Sequence, residues 1–286
     1  MDPIISFRDV SFSYHSNIQV LKSISFSVNP GEAVVILGEN GSGKSTLFLN
    51  LLHLVPGHSG AIFVKGLEVN HKNEKKIRQK TGLIFQNSND QLFLPTVKEE
   101  IAFGPWNLGL RGKELKNCIN QAAAAINIQN IMEKKVFHLS QGEKRKVAIA
   151  AVYAMNPDIF LFDEPFANLD PKTKEDLIRI LDNLHHQGKT LLLISHEVDQ
   201  IPEFFKRGIV LHSGKKIFDG SIRELYKFPK ILTQANLRLP LVATLYSRIQ
   251  ELYPHLFKKF DFKPPITGQE FETILLEILG EVSDLE

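Results

Sequence analysis

The sequence has little of what marks secreted, nucleic-acid-binding or disordered proteins. Cys118 is the single cysteine among 286 residues, so no disulfide can form within the chain, as is typical of a reducing compartment. The formal net charge is only +2, well short of the basic excess of nucleic-acid-binding proteins, and we predict no nucleic-acid partner. With 43% hydrophobic residues and so small a charge, the composition excludes a disordered chain.

Long hydrophobic runs are also missing. The longest, residues 147–155, is far shorter than the ~20 residues that a membrane-spanning helix needs. The opening residues, MDPIISFRDV, include an acid and have neither the basic nor the apolar segment of a secretory signal. We therefore expect a protein that is cytosolic, or that binds a membrane only through a partner.

Short β-type runs alternate with helical patterns along most of the chain. Polar and apolar residues alternate at 4–10 and 23–28, as in half-exposed strands. Continuously apolar runs, typical of buried parallel strands, lie at 33–37, 83–85, 159–162 and 191–194. Helical patterns at 45–55 and 172–187 follow two of these runs. The alternation predicts an α/β fold with a parallel core sheet.

Two regions depart from this alternation. Residues 87–156 contain several helical patterns and no convincing strand, so we interpret them as a helical insertion between two core strands. After about residue 221, prolines are spaced between short apolar patches, which indicates a small C-terminal appendage. We therefore divide the chain into a main domain, residues 1–225, and an appendage, residues 226–286.

The strongest motif is the glycine-rich segment at residues 38–45, GENGSGKS, which fits the pattern G-x-x-x-x-G-K-S/T between an apolar strand and a helix. Glycines let backbone N–H groups point at phosphate oxygens, and the helix N-terminus adds partial positive charge. Lys44 can reach the β- and γ-phosphates, and the Ser45 hydroxyl can ligate Mg²⁺. A glycine-rich turn that merely precedes a helix seldom matches every position, so we predict a nucleoside triphosphate site. Its candidate residues are Gly38, Asn40, Gly41, Gly43, Lys44, Ser45 and Thr46.

A second apolar run, IFLFDEP at residues 159–165, ends in two adjacent acids. Beside a phosphate loop, Asp163 can hold Mg²⁺ directly or through water. Glu164 can then orient or deprotonate a water that attacks the γ-phosphate. The alternative is an ordinary acidic strand end, and the phosphate loop upstream favours the catalytic interpretation.

The segment LSQGE at residues 139–143 opens a helical pattern that runs to residue 155. Ser140 is either simply the N-cap of that helix or, with Gly142, part of a second anion site. Since one phosphate loop already holds one nucleotide, a second site suggests contact with the nucleotide of another copy.

Taken in chain order, these segments resemble the nucleotide-binding subunits of ABC transporters over nearly all of residues 1–225. The matching elements are GENGSGKS, Gln86, LSQGE, IFLFDEP, ANLD at 167–170, and LLISHE ending in His196 and Glu197. The resemblance implies a P-loop NTPase fold with a parallel core sheet, an antiparallel N-terminal β part, an inserted helical subdomain and a small appendage. It also implies two ATPs in a head-to-tail dimer, each between the phosphate loop of one subunit and the signature segment, residues 139–143, of the other.

The same resemblance implies roles for residues near the γ-phosphate. Gln86 would lie near Mg²⁺ and the attacking water and report to the membrane partner. His196 would contact the γ-phosphate and help to fix Glu164, although a strand-end histidine satisfied by backbone is the plainer alternative. Ser140 and Gly142 would contact the γ-phosphate bound by the other subunit.

Two further residues have implied roles and equally plain alternatives. Tyr14 would stack on the adenine, or it is a strand aromatic packed on its neighbours. Asp170 would bridge the dimer interface, or it is the N-cap of the next helix, and it can do both.

Residues 85–110 resemble more narrowly the ATPase subunits of energy-coupling-factor importers, the cobalt, nickel and vitamin transporters. The matching residues are Gln86, Asp90, Gln91, Leu92, Phe93, Pro95, Thr96, Val97, Ala102, Phe103, Gly104 and Pro105. Thr96 with Glu99 predicts a capping box for the next helix. Phe93 and Leu94 would form a groove for an amphipathic helix of a membrane partner, or they plug the insertion onto the core. The subfamily resemblance implies dimer contacts for the appendage.

One residue departs from the family pattern. Gln141 stands at a glycine position of the signature segment, where a positive φ would cost about 1 kcal/mol. Such strain would imply either a site that is not fully active in a homodimer or a distinct sister ATPase that shares the work.

We interpret the chain as an ATP-hydrolysing subunit, with ATP and Mg²⁺, that energises an energy-coupling-factor-type importer of cobalt, nickel or a vitamin. Its partners would be a second ATPase subunit, identical or not, and integral membrane subunits. It would lie at the cytoplasmic face of the cell membrane as a peripheral protein. The alternatives are a soluble non-transport ABC ATPase and a P-loop small-molecule kinase.

Overall fold

The computed structural model describes residues 2–15, 18–255, 257 and 263–283. Its N-terminal sheet contains β1 (Ile5–His15), β2 (Ile18–Val28), β4 (Ser59–Val64) and β5 (Leu67–Glu68). The strands pair antiparallel in the order β2-β1-β4-β5, which confirms the antiparallel part. Both β1 and β2 exceed the predicted runs, because their pairing continues through register shifts to His15 and Ile18.

A second sheet forms the core. Its strands are β3 (Ala33–Leu37), β6 (Thr81–Ile84), β7 (Ile159–Asp163), β8 (Thr190–Ser195), β9 (Arg207–His212) and β10 (Lys215–Ser221). Their order is β10-β9-β3-β8-β7-β6, and every pair is parallel except β10 with β9. The predicted parallel core is therefore confirmed, with an antiparallel strand added at one edge. The sequence patterns missed β9, whose apolar stretch is short, and β10, which is half-exposed.

Both faces of the core sheet are covered, as continuously apolar strands require. Helices flank it at α1 (Lys44–Leu51), α2 (Glu74–Lys80) and α6 (Pro171–His186). Val34 and Ile36 of β3 pack with α1 and the N-terminal sheet, whereas Val35 and Leu37 pack on the opposite side. Helix α1 ends earlier than the predicted residue 55, since the chain turns at His53 with a φ of 52°.

The predicted helical insertion consists of α3 (Val97–Asn107), α4 (Gly112–Ala125) and α5 (Gln141–Tyr153). All of residues 87–156 are described, and their only β-type pairing is an isolated bridge between Thr96 and Lys135. Helix α5 packs its buried face on the core sheet, and the signature segment lies at its start.

The described part of the C-terminal region is helical: α7 (Ile222–Leu225), α8 (Pro229–Gln234), α9 (Leu241–Leu252) and α10 (Gly268–Ser283). Leu232 and Ala235 join the main hydrophobic core, whereas Ile274 and Ile278 belong to a separate small cluster. Apolar packing therefore crosses residue 225. Within the described ranges no helix combines the length and the apolar character needed to span a bilayer.

Candidate nucleotide-binding site

The phosphate loop, residues 38–45, connects fully buried β3 to α1 through backbone that needs glycine. A Cβ on Gly38 would lie 2.4 Å from the carbonyl oxygen of Leu211, much closer than any real contact. Gly43, the N-cap of α1, has a φ of 103° and provides no side-chain cap. The first N–H groups of α1 are therefore left for a ligand, which is the arrangement that binds anions at helix N-termini.

Lys44 lies folded back across this loop. Its side chain is buried, and its Nζ donates hydrogen bonds to the carbonyl oxygens of Gly38 and Glu39, both at 2.8 Å. Burial lowers the pKa of Lys44, while the negative charges of Glu164 and Asp163 oppose that shift. A phosphate at the loop would offer this ammonium group stronger, charged acceptors than two carbonyls.

Three strand ends converge beside Lys44. Gln86 follows β6, Glu164 follows β7 and His196 follows β8, and these parallel strands are neighbours, so their carboxyl ends share one edge of the sheet. Gln86 Nε2 donates to Glu164 Oε2 at 2.9 Å, and His196 Nδ1 lies 2.8 Å from Glu164 Oε1. The predicted catalytic residues thus form one hydrogen-bonded group, and His196 has a carboxylate partner rather than the backbone partner of the alternative.

Glu164 itself is held in an unusual conformation. Its φ is 46°, in the left-handed region that is rare for residues other than glycine, and its side chain is buried. The N–H of Glu164 donates to the carbonyl oxygen of Ile194 at 3.1 Å, which extends the contact between β7 and β8 by one residue. The backbone therefore aims this carboxylate at a defined point beside the phosphate loop.

The oxygen atoms at this edge suit a hard cation. Ser45, Asp163 and Gln86 provide a hydroxyl, a carboxylate and an amide oxygen, the ligand types that Mg²⁺ takes in proteins. Burial raises the pKa of Asp163, and the Ser45 hydroxyl partly offsets this shift. Ser42 Oγ is buried without a hydrogen-bond partner among the described residues, so the loop retains polar capacity for a ligand. The residues present fit a magnesium–phosphate group.

Comparison with known proteins agrees with this geometry. The family profile described as ABC transporter matches residues 21–167. The chain is 39% identical over 97% of its length, and 88% of the relative's, to "Energy-coupling factor transporter ATP-binding protein EcfA" of Methanothermobacter thermautotrophicus. It is 42% identical to a putative ABC transporter ATP-binding protein of Pyrococcus furiosus, over 85% of this chain and 90% of that one.

The chain belongs to the ABC transporter ATP-binding family. It is an ATP-binding, ATP-hydrolysing subunit of the energy-coupling-factor type. Among solved structures, cbiO1 from Clostridium perfringens, "Part of the ABC transporter complex cbiONQ", superposes with a TM-score of 0.75 at 30% identity, covering 86% of this chain and all of that one. A dimeric ATP-binding cassette bound to ADP and Pi gives a TM-score of 0.68 at 27% identity, covering 76% and 98%.

The signature segment of this ABC subunit begins helix α5. Ser140 is its N-cap and forms the reciprocal capping box with Glu143, while its role in a second anion site stays a prediction. Gln141 is the first helical residue and is not among the residues with positive φ, so the expected backbone strain is wrong. Gln141 therefore gives no argument for two different ATPases.

Gly142 is needed where α5 approaches the next helix. A Cβ at this position would lie 2.7 Å from Thr173 Cγ2 in the first turn of α6. Thr173 in turn donates through N and Oγ1 to the carboxylate of Asp170, at 3.0 and 2.6 Å. Asp170 is thus the N-cap of α6, and these hydrogen bonds lower its pKa. In the described chain, no hydrogen bond joins Ser140, Gly142 or Asp170 to the phosphate loop.

The remaining candidate residues surround the loop. Tyr14 is half-exposed, meets Phe12 edge-to-face, and lies with its hydroxyl 3.2 Å from Thr46 Oγ1. One broad face of the Tyr14 ring, beside the first turn of α1, can accept an adenine. Asn40 and Gly41 are exposed at the tip of the loop.

An apolar groove lies between α2, α3 and α5, and Gln91, which lines it, accepts the N–H of Phe85, the residue before Gln86. It has a volume of about 570 Å³, and Phe93 and Phe103 line it with their rings edge-to-face, 5.0 Å apart. Phe93 is 65% exposed, which argues against the alternative that it plugs the insertion onto the core. Glu100, buried beneath it, accepts the N–H groups of Phe93 and Leu94, and burial raises its pKa. The predicted capping box of Thr96 and Glu99 is present.

Sequence reasoning missed two residues at the site. Arg145 of α5 is buried and donates to the carbonyl oxygens of Phe85 and Gln86. Asn236, after α8, donates to the carboxylate of Glu39 in the phosphate loop. Neither residue had a usable sequence signal, since Arg145 stands between two lysines and Asn236 is 197 residues from Glu39 in the chain.

Proposed function

We propose that this ABC subunit hydrolyses ATP to drive an energy-coupling-factor-type importer whose solute is a metal ion, cobalt or nickel, or a vitamin. The observation that carries the proposal is the group formed by Glu164, Gln86 and His196 at one sheet edge, beside Lys44. The named relatives support the transporter type, and the matches across residues 85–110 support the importer subfamily.

In the proposed reaction, Lys44 exchanges its two carbonyl acceptors for the β- and γ-phosphates of ATP. Ser45, Asp163 and Gln86 would hold Mg²⁺, which would supply positive charge to the phosphate oxygens. Glu164 accepts a proton from the attacking water, and its hydrogen bonds to Gln86 and His196 keep the carboxylate oriented.

The adenine and the second subunit complete the site. The phosphates are enclosed by the loop residues Gly38, Asn40, Gly41 and Gly43 and by Thr46 in the first turn of α1. Tyr14 stacks on the base. Ser140 and Gly142 reach the γ-phosphate of a second ATPase subunit, and Asp170 lies at the dimer interface while capping α6. The similarity to a dimeric ATP-binding cassette supports a second subunit in this arrangement.

The groove between α2, α3 and α5 is the proposed docking site for a helix of an integral membrane subunit. Its apolar rings can receive a helix, and its lining residue Gln91 bonds the backbone of Phe85, so a docked helix would influence the neighbouring Gln86. On this proposal, residues 1–225 are the ATPase domain, with 87–156 as its helical insertion, and 226–286 serve assembly. The protein then lies peripherally at the cytoplasmic face of the membrane.

Purification from native membranes tests this proposal. Mild-detergent extraction with a tagged chain should recover integral membrane subunits, and Phe93→Glu should abolish their recovery without changing the midpoint of thermal unfolding. Ile18→Glu, at an exposed site on β2 outside the groove, is the matched apolar-to-acid control and should leave their recovery unchanged. Recovery of a soluble partner alone would support the soluble ABC ATPase instead.

A further inference from the structure

The chain leaves the core sheet after Ile84, just before Phe85 and Gln86. The last residue of β6 paired with β7 is Ile84, so the backbone groups of Phe85 and Gln86 need partners outside the ladder. Side chains supply them. Gln91 Oε1 accepts from the N–H of Phe85 at 3.1 Å, and the guanidinium of Arg145 donates to the carbonyl oxygens of both Phe85 and Gln86.

Burying the charged side chain of Arg145 at this position is energetically unfavourable. It is only 5% exposed, and it forms no ion pair with any carboxylate in the part of the chain described. Burial lowers its pKa, and the charge of Asp163 partly opposes that shift. Burying a cation without a hydrogen-bonded carboxylate leaves its desolvation uncompensated by an ion pair, whereas an apolar side chain would pack in α5 without that cost. Packing therefore does not explain an arginine here, but its two hydrogen bonds do.

Those two hydrogen bonds connect the signature helix to the hydrolytic group. Helix α5 carries Ser140 at its N-cap and Arg145 little more than one turn later, within one rigid element. Arg145 holds the carbonyl of Gln86, and Gln86 Nε2 donates to Glu164 at 2.9 Å. A shift of α5 is thereby passed to the residue that orients the carboxylate.

We propose that Arg145 is a positioning residue, which fixes Gln86 to helix α5 so that the hydrogen bond to Glu164 depends on where the signature segment lies. The inference rests on the proposed role of Gln86 and Glu164 in hydrolysis. It assigns Arg145 no contact with nucleotide, and its effect on turnover is exerted entirely through Gln86.

A double-mutant cycle tests the proposal on the full chain. Arg145→Met should lower kcat for ATP hydrolysis roughly tenfold or more, the usual effect of removing a residue that orients a ligand-contacting group. Nucleotide affinity, measured by titration with a fluorescent ATP analogue, should change little. Arg145 acts only through Gln86, so the two substitutions remove the same effect on Glu164. The kcat of Arg145→Met combined with Gln86→Ala should therefore be no lower than that of Gln86→Ala alone.

Two further variants keep the cycle interpretable. Lys146→Met removes a neighbouring cation of α5, whose partner is Asp176 on α6 at 2.6 Å, and should leave kcat unchanged. Arg145→Lys retains a charge with fewer directed donors, and its kcat should fall between those of Arg145→Met and the unmodified protein. If Arg145→Met fails to fold, Arg145→Lys takes its place in the cycle.

The outcomes separate this inference from the function on which it rests. Unchanged kcat in folded Arg145→Met, or effects of Arg145→Met and Gln86→Ala that multiply, would overturn the positioning role. Unchanged kcat in Gln86→Ala would instead refute the hydrolytic role proposed for Gln86 itself.

Discussion

Glu164→Gln separates proton transfer from structure at the hydrolytic group. The carboxylate has two neighbours, Gln86 Nε2 at 2.9 Å and His196 Nδ1 at 2.8 Å. A glutamine has the same shape, so its amide oxygen can accept from Gln86 while its amide nitrogen donates to His196. The second bond requires the histidine tautomer with its proton on Nε2. Both hydrogen bonds survive, and the basic group is lost.

The expected magnitudes differ between stability and catalysis. Each retained hydrogen bond contributes about 1 kcal/mol, so the free energy of unfolding should change by no more than about that amount. A general base contributes about 10²–10⁴-fold to a rate, so kcat should fall by about that factor. Glu164→Ala is the matched comparison, because it removes the partner of Gln86 and His196. Both side chains reach solvent, so the cost should be about 1 kcal/mol for each lost hydrogen bond.

Three measurements check this prediction. Phosphate release at saturating ATP and Mg²⁺ gives kcat, thermal unfolding gives stability, and size-exclusion chromatography with ATP should show the Glu164→Gln variant trapped as a closed dimer. Turnover within about fivefold of the unmodified protein would refute the reasoning, since another group would then activate the water.

Three other predictions use the same chain. Lys44→Ala removes the buried ammonium group of the phosphate loop and should abolish ATP binding measured by calorimetry, with unfolding still cooperative. Gly142→Ala places a methyl group 2.7 Å from Thr173 Cγ2 and should lower stability by about 1–3 kcal/mol, and adding Thr173→Ser should restore part of the loss in urea unfolding. Burial raises the pKa of Glu100 in the folded state, so folded protein holds that proton more tightly and stability falls as pH rises from the ordinary carboxyl range through the raised pKa. Glu100→Gln should therefore gain stability relative to the unmodified protein at pH ~7.5 but not at pH ~4, and an equal difference at both values would contradict the assignment.

The phosphate loop could be predicted from local sequence, because the residues that shape it lie within one short segment. Gly38 and Gly43 adopt backbone conformations dictated by a tight turn, and Lys44 is set by the first turn of α1, all within one short segment. The capping residues Thr96 and Asp170 were predictable for the same reason, since a cap depends only on residues one turn away.

Arg145 shows where local reasoning fails. In the sequence it stands between two lysines, where a basic residue is expected to face solvent, and only the packing of α5 on the core buries it against Gln86. At Gln141 the prediction was wrong because it relied on the local motif. A motif position that is often glycine suggested positive φ, but the helix begins there with ordinary backbone angles.

The sequence by itself determined a cysteine-poor chain with little net charge and no long hydrophobic run, an α/β alternation, and the residues able to bind and hydrolyse a nucleotide. Only the tertiary structure decided how those residues meet. Gln86 and Glu164 are 78 residues apart, and Glu164 and His196 are 32 apart, yet they share hydrogen bonds. Their meeting depends on the order β6-β7-β8, which is set by helices packing across the whole sheet rather than by any one segment.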